Sequence, residues 1–147
     1  MIARGEVAHA AFRGVVGAMA MTGARTFAVQ AGMIERPPPQ QIAREAAPGL
    51  LHAAPDGSDR AIEELVHWAV GAAGGVGFAL LPAPLRRMPW AGPVYGLGIW
   101  LSFELVGAPL LGLSHHERHG AAARVALIAD HTIYGLVLSE LRERSRA

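Results

Sequence analysis

The chain is 147 residues long and 52% hydrophobic, carries a net charge of +1 at pH 7 and contains no cysteine. This length suits a single domain, the near-zero charge argues against a nucleic-acid-binding protein, and the lack of cysteine excludes disulfides and thiolate chemistry. The stretch from Leu65 to Leu85 contains no Asp, Glu, Arg or Lys. At about 1.5 Å per residue, a helix of that length matches a hydrocarbon core of about 30 Å, so the sequence predicts a protein embedded in a lipid bilayer.

Four apolar stretches predict an all-α polytopic membrane protein, with four transmembrane helices in one domain that covers residues 1–147. Three consecutive prolines stand near the start of residues 35–60, the long segment between the first two stretches, and mark it as an extramembrane loop. A short turn rich in proline and arginine separates the middle two stretches, and a histidine-rich turn separates the last two. The predicted spans, in chain order, are residues 8–34, 61–81, 90–113 and 121–141.

The distribution of arginine predicts how these spans are oriented. Seven arginines lie near the two termini and in the turn between the second and third spans, whereas five lie in or beside the other two connections. Cytoplasmic loops carry the excess of Arg and Lys in multi-pass proteins. We therefore expect a multi-pass membrane protein with both termini in the cytoplasm.

A short internal repeat relates the two halves of the chain. In the second and fourth spans a histidine precedes a glycine by four residues, and in the first and third a glycine precedes a charged residue by eight. Such a repeat would make the chain two tandem helical hairpins in the same orientation, with Arg25 and Glu104 at equivalent positions. The matching pairs are His67 and Gly71, His131 and Gly135, Gly17 and Arg25, and Gly96 and Glu104.

Several of these motifs together are similar to those of a known group. They are the run GVVGAMAMTGAR from Gly14 to Arg25, the prolines at 37–39, the H-x-x-x-G of the second span and the closing HTIYGLVLSEL at 131–141. In these motifs the chain resembles the YagU-like small bacterial inner-membrane proteins. That resemblance implies a four-span membrane protein of uncharacterised role, and it assigns no catalytic residues.

Glycines recur along the faces that would meet inside such a bundle. Membrane helices associate by close backbone approach, which small residues permit. We therefore expect the glycines to form the helix-packing surfaces. The residues assigned to these surfaces are Gly14, Gly17, Gly71, Gly74, Gly75, Gly92, Gly96 and Gly135.

Charged residues inside the predicted spans must face the bundle interior or a partner chain, because each costs roughly 2.5–3.5 kcal/mol at mid-bilayer. We expect Arg25 and Glu104 to form an interior ion pair that fixes the helix register. The alternative is a proton or ion path through Glu104, Asp130 and His131. The intramembrane polar candidates are Arg25, Glu64, His67, Glu104, Asp130, His131 and Tyr134.

Two single histidines permit a cofactor interpretation. His67 and His131 could be axial ligands of a haem held between the second and fourth spans, because facing helices of a bundle often hold cofactors. The interpretation we favour is that hydrogen bonds satisfy both of them. In that case His67 would bind Glu63 or Glu64, and His131 would bind a carbonyl or Tyr134.

Three further histidines lie in the predicted turn at residues 114–120. His115 and His119 are four residues apart, the spacing that presents two nitrogens on one helix face to a metal. The segment is polar and contains no His-Glu-x-x-His motif, which favours a solvated turn. We therefore expect no bound metal or other cofactor.

The chain contains no motif that resembles a phosphate-binding loop or a Ser, His, Asp triad, so an enzyme is not expected. We expect a structural or accessory subunit that packs through its glycine faces against itself, as a homo-oligomer, or against a larger membrane complex. The runner-up is a small transporter or proton-conducting protein that uses Glu104, Asp130 and His131. A haem-binding membrane protein ranks third.

Overall fold

The computed structural model of the protein describes residues 4–32, 55, 57–110, 112 and 121–139, and all regular structure in these residues is helical. The all-α prediction is therefore confirmed for the described part of the chain. The predicted loop at 35–60 lies mostly outside that part, as do His115 and His119. The segments are α1 Arg4–Gln30, α2 Asp59–Leu80, α3 Ala83–Arg86, α4 Ala91–Ser102, a π-helical segment Phe103–Gly107, α5 Ala108–Leu110 and α6 Ala121–Ser139.

The helices end where the local sequence cannot continue them. α1 is followed by Gly32, whose φ of 69° places it in the left-handed region that favours glycine. α2 ends before Pro82, and Leu81 is already extended, as expected for a residue that precedes proline. The predicted spans therefore have helical counterparts whose described ends lie within a few residues of the expected bounds.

Two helices are long and apolar enough to cross a membrane. They are the continuous helix Ala91–Leu110, formed by α4, the π-helical segment and α5, and the helix Ala121–Ser139. Only 11% and 28% of these helices are buried, whereas the core helix of a soluble protein would be mostly buried. α1 and α2 have enough length but carry more charged residues. The composition of the helices thus gives weak support to a membrane location, and it singles out two spans where the sequence predicts four.

Helix packing follows the order α2, α1, α6, α4. α1 packs extensively on both α2 and α6, and α6 packs extensively on α4. α2 and α4 approach each other at only a few positions. α1 and α6 are therefore the central pair, and the pairs that are sequential along the chain, α1 with α2 and α4 with α6, make the closest contacts.

Both sequential pairs meet through glycine. A Cβ atom added to Gly14 would collide with the carbonyl oxygen of Gly71 on α2, and one added to Gly135 would collide with the carbonyl oxygen of Gly92 on α4. A Cβ atom at Gly71 would lie 2.7 Å from the Cβ of Ala18, which is too close for a real contact. Backbone therefore touches backbone at both interfaces, as small residues allow in membrane helices.

Charged side chains are buried in the bundle, and large apolar side chains are exposed on its surface. A buried apolar cluster is formed by Met21, Phe78, Ala91, Tyr134 and Leu138. Three charged residues are also buried, whereas every long helix exposes large apolar side chains. Buried charges are rare in soluble domains. The buried charged residues are Arg25, Glu63 and Asp130.

Candidate functional site

Several polar residues lie close together where α1, α2 and α6 meet. Arg25 lies near the C-terminal end of α1, His67 lies in the first half of α2, and Asp130 lies at the middle of α6. α1 is antiparallel to α6, because Arg13 contacts Val137 while Arg25 contacts Asp130. Gly14 packs on Gly71 between α1 and α2, and the Tyr134 ring packs on Gly17 between α6 and α1. The packing of the three helices therefore brings these polar residues together.

Arg25 is the centre of this group. Its Nε lies 3.5 Å from Oδ2 of Asp130, and both side chains are less than a tenth exposed. Its Nη2 lies 2.9 Å from Nε2 of His67 and 3.3 Å from Oγ1 of Thr22. A guanidinium can only donate, so Nε2 of His67 accepts this hydrogen bond and the imidazole is neutral in this arrangement.

Thr22 extends the group to a second carboxylate. Its hydroxyl accepts from Arg25 and donates to Oε2 of Glu64 at 2.9 Å, so Arg25 stands between two carboxylates. Asp130 contacts the guanidinium directly, and Glu64 contacts it through the Thr22 hydroxyl. These five residues, Thr22, Arg25, Glu64, His67 and Asp130, are called the Arg25 cluster below.

The expected ion pair between Arg25 and Glu104 is wrong, because Arg25 pairs with Asp130. The reason lies in the packing order: α1 packs on α2 and α6, whereas the helix that carries Glu104 packs on α6. Glu104 lies close enough to His131 to interact with it electrostatically. It also lies in the π-helical segment, and such segments occur frequently at functional sites.

The two candidate haem ligands have other partners. Nδ1 of His131 lies 2.9 Å from the carbonyl oxygen of Leu127, as the hydrogen-bonding alternative predicted. His67 binds Arg25 through Nε2 and also interacts with the backbone of Ala18, so the expected hydrogen bond to Glu63 or Glu64 is replaced. Haem ligation by His67 would require these interactions to break, and it stays an untested alternative. Within the described residues, no group of three or more metal-binding side chains could hold a metal ion.

One acceptor in the Arg25 cluster lacks a hydrogen bond. Oδ2 of Asp130 is buried, and no donor in the described part of the chain forms a hydrogen bond with it. The 3.5 Å contact to Arg25 supplies charge but no hydrogen bond at this oxygen. An ionised carboxylate left in this way is poorly solvated, so this oxygen is the incomplete point of the cluster.

Comparisons with known proteins give no independent identification. No protein-family model, curated protein or solved structure matches this chain. Any functional conclusion therefore depends on the residues and geometry of the chain itself.

Sequence reasoning missed two residues that line this interior. Thr22 joins Arg25 to Glu64, and its position three residues before Arg25, on the same helix face, was the available signal. Tyr95 donates its hydroxyl to the carbonyl oxygen of Gly74 at 2.9 Å. No local pattern indicates this bond, because the two residues lie on different helices.

Tyr134, one of the predicted intramembrane polar residues, lies one helical turn after Asp130 on α6. Its hydroxyl donates to the carbonyl oxygen of Gly71 at 2.6 Å, and its ring lies against Gly17. A Cβ atom at Gly74 would lie 2.5 Å from the same hydroxyl. Gly17 and Gly74 therefore make room for an aromatic side chain, whereas Gly14 and Gly71 bring backbones together. Gly75 lies against the carbonyl oxygen of Ala10, and Gly96 against that of His131.

Proposed function

We propose that this chain is a four-span integral membrane protein that serves as a structural or accessory component, packing against itself or a larger membrane complex. The observation that supports it is that large apolar side chains face outward along every long helix while three charged side chains are buried. A soluble protein would expose much of this apolar surface to water, whereas lipid or a partner helix covers it favourably. Exposed examples are Phe12, Phe27, Leu65, Val70, Leu105, Leu110, Val125 and Leu136.

The charges of α1 and α2 are compatible with spanning. These helices are about 40 Å and about 33 Å long at 1.5 Å per residue, enough to cross a hydrocarbon core. Arg25 is buried, and Arg13 donates two hydrogen bonds to the carbonyl oxygen of Val137. Glu63 is buried and Glu64 binds Thr22, one to two turns after α2 begins. Hence these charges meet protein groups and need not meet lipid.

The glycine contacts refine the surface through which a partner would bind. We expected the glycine faces to contact a partner, but Gly14, Gly71, Gly92 and Gly135 are occupied by contacts within the chain. A partner would therefore meet the outward apolar faces. The resemblance to the YagU-like inner-membrane proteins, and the excess of arginine at the termini, favour a bacterial inner membrane with both termini in the cytoplasm.

Cysteine labelling tests the four-span arrangement directly, because the natural chain has no cysteine. Arg87→Cys lies in the turn after α3 and Ser58→Cys lies immediately before α2. A membrane-impermeant thiol reagent applied to intact cells should label Ser58→Cys, and Arg87→Cys should react only after the membrane is opened. Labelling of both variants from one side would exclude this arrangement.

The accessory role needs its own experiment. Cross-linking in the membrane followed by purification in mild detergent should recover the chain with a second copy or with a larger complex. A phenylalanine-to-alanine change at exposed Phe12 or Phe27 should weaken that association, whereas the same change at buried Phe78 should lower the stability of the chain. A chain that stays monomeric under these conditions would contradict the accessory role.

The second candidate function, a small transporter or proton-conducting protein, is favoured by one specific observation. The Arg25 cluster contains more carboxylates than cations, and Glu104 interacts with His131 nearby. Buried ionisable groups in membrane helices often mark ion or proton pathways. Ion and proton flux into proteoliposomes tests this candidate.

A further inference from the structure

We propose that the Arg25 cluster is a proton-binding site that holds one exchangeable proton and is reached from one end of the bundle only. The proposal rests on the four-span arrangement, which places the cluster where water is scarce. It goes beyond the accessory role because it assigns a ligand, a proton, to named side chains. It also differs from proton conduction, which requires access from both sides.

The charge balance of the cluster requires an additional positive charge. Asp130 and Glu64 are two carboxylates, and Arg25 is the one guanidinium that lies between them. His67 contributes no charge, because its Nε2 accepts a hydrogen bond from Arg25. With both carboxylates ionised, these groups carry one net negative charge in a region of low dielectric. One bound proton cancels that charge.

The geometry at Asp130 identifies where that proton is most needed. Asp130 is only 3% exposed, and its Oδ2 is buried without a hydrogen bond among the described residues. A carboxylate needs donors around each oxygen, whereas the neutral acid needs far less solvation. Protonation of Asp130 therefore removes the least favourable interaction in the cluster. Arg25 then keeps a carboxylate counter-charge through Thr22 and Glu64.

The proton reaches the cluster from the end at which α2 begins. Glu64 is only half-buried and lies five residues after Asp59, the first residue of α2. The opposite direction is closed by protein. There Tyr134 binds the carbonyl oxygen of Gly71, and Gly14 packs on the same residue. The buried side chains of Phe78 and Leu138 lie further along.

All elements around Asp130 contribute charged or titratable groups. α1 contributes Arg25, which pairs with Asp130. α2 contributes Glu64 and His67, both within electrostatic range of Arg25. On α6 itself, His131 interacts electrostatically with Arg25 and with Glu104 of the π-helical segment. Protonation of Asp130 therefore leaves Glu64, through Thr22, as the counter-charge of Arg25.

Infrared difference spectroscopy of the purified full-length chain tests the site, because a protonated carboxyl group has its own carbonyl band. The wild-type protein should show one such band that disappears between mildly acidic and mildly alkaline pH. Asp130→Asn and Glu64→Gln should each abolish the band, because either change leaves one carboxylate balanced by Arg25. Arg25→Gln should enlarge it, because two carboxylates then share no cation. Asp59→Asn, at the exposed start of α2, is the matched control and should leave the band unchanged.

Persistence of the band in both Asp130→Asn and Glu64→Gln, or its absence from the wild-type protein, would overturn the proposal. Proton flux across proteoliposomes that Asp130→Asn removes would overturn the claim of one-sided access. If one of the two carboxylate variants fails to fold, the other still tests the site, because both variants are expected to lose the infrared band. Cysteine labelling reports on the membrane arrangement separately, so failure of the proposed function and failure of the proton site give different results.

Discussion

Where Gly14 packs on Gly71, near the middle of α1 and α2, two helix backbones touch, whereas around Arg25 polar side chains fill the space between helices. The first region, called the glycine region, also contains the contact of Gly92 with Gly135. The second is the Arg25 cluster, in which charged groups are joined by hydrogen bonds through Thr22. The two regions share α1, α2 and α6, and they differ in what lies between the helices.

Because of this difference, the two regions should respond differently to amino-acid substitution. In the glycine region any added atom collides with backbone, which cannot move without shifting a whole helix. In the Arg25 cluster side chains can rearrange, but removal of one charge leaves another buried without a counter-charge. The Gly14 contact with Gly71 holds α2, which carries Glu64 and His67, against α1. The Tyr134 ring packs on Gly17 and joins α6 to α1, the two helices that carry Asp130 and Arg25.

The largest expected effect is at Arg25. At a mildly alkaline pH, where Asp130 has lost its proton, Arg25→Met should lower the stability of the bundle in detergent by about 3 kcal/mol, because the ionised Asp130 then loses its buried counter-charge. The loss should not be larger, because Asp130 can bind a proton once Arg25 is removed and is then no longer a buried charge. The double variant Arg25→Met with Asp130→Asn should recover much of that loss, since both desolvation costs disappear. Thermal unfolding of the four proteins in this double-mutant cycle measures the coupling.

A second double-mutant cycle compares Asp130 with Glu104, the partner of Arg25 that the sequence predicted. Glu104→Gln combined with Arg25→Met should give additive losses, within about 0.5 kcal/mol, because no contact joins the two residues. Coupling of Arg25 to Glu104 that equals its coupling to Asp130 would contradict the packing order described here.

The next effect, in the glycine region, is a contrast between two positions on one helix. Gly14→Ala should destabilise the bundle by about 1–3 kcal/mol, because its new methyl group meets the backbone of Gly71. Gly23→Ala on the same helix meets nothing within 4 Å and should be neutral or stabilising by up to about 1 kcal/mol. Melting temperatures of the two variants provide the comparison. A similar response at both positions would show that α1 does not approach α2 closely.

The α4 helix offers a second pair with the same logic. Gly92→Ala should resemble Gly14→Ala, since the methyl group meets the backbone of Gly135. Gly98→Ala points into open space and should resemble Gly23→Ala. Agreement between the two helices would show that both sequential pairs are built in the same way.

The extent of sequence-based prediction differs between these regions. Helix number and approximate bounds follow from apolar runs and from prolines and glycines near the ends, which are local features. The helix-packing glycines were also predictable as a class, because small residues matter wherever membrane helices meet. Their individual partners were not predictable. A partner depends on which helix lies opposite, and no feature of Gly14 itself specifies Gly71.

The Arg25 cluster illustrates the same limit. Its charged members were predictable, because an ionisable residue in an apolar helix needs a partner. The choice of Asp130 over Glu104 depends on α1 packing against α6, which the short internal repeat did not reveal. Thr22 was missed because threonine is common in helices of this kind, and only its contact with Glu64 distinguishes it.

A smaller effect is expected at the boundary between the two regions. Tyr134→Phe should cost about 1 kcal/mol, because it removes the hydrogen bond to Gly71 and leaves the buried ring in place. Tyr95→Phe removes a less buried hydrogen bond to Gly74 and should cost less. Thermal unfolding in detergent measures both variants. A larger loss at Tyr95 would mean that α2 and α4 pack more closely than their few contacts indicate.

The smallest expected effect is at Arg13 of α1, which lies beside Gly14 and contacts Val137 of α6. Both Nε and Nη2 of Arg13 donate to the carbonyl oxygen of Val137, at 3.2 and 2.8 Å. Arg13→Gln should lower stability by about 0.5 kcal/mol, because a neutral amide replaces the charged donor at this carbonyl. Arg124→Gln, at an exposed position of α6, should change stability less. Equal losses at both positions, measured by thermal unfolding at low ionic strength, would mean that the contact of Arg13 with Val137 does not stabilise the bundle.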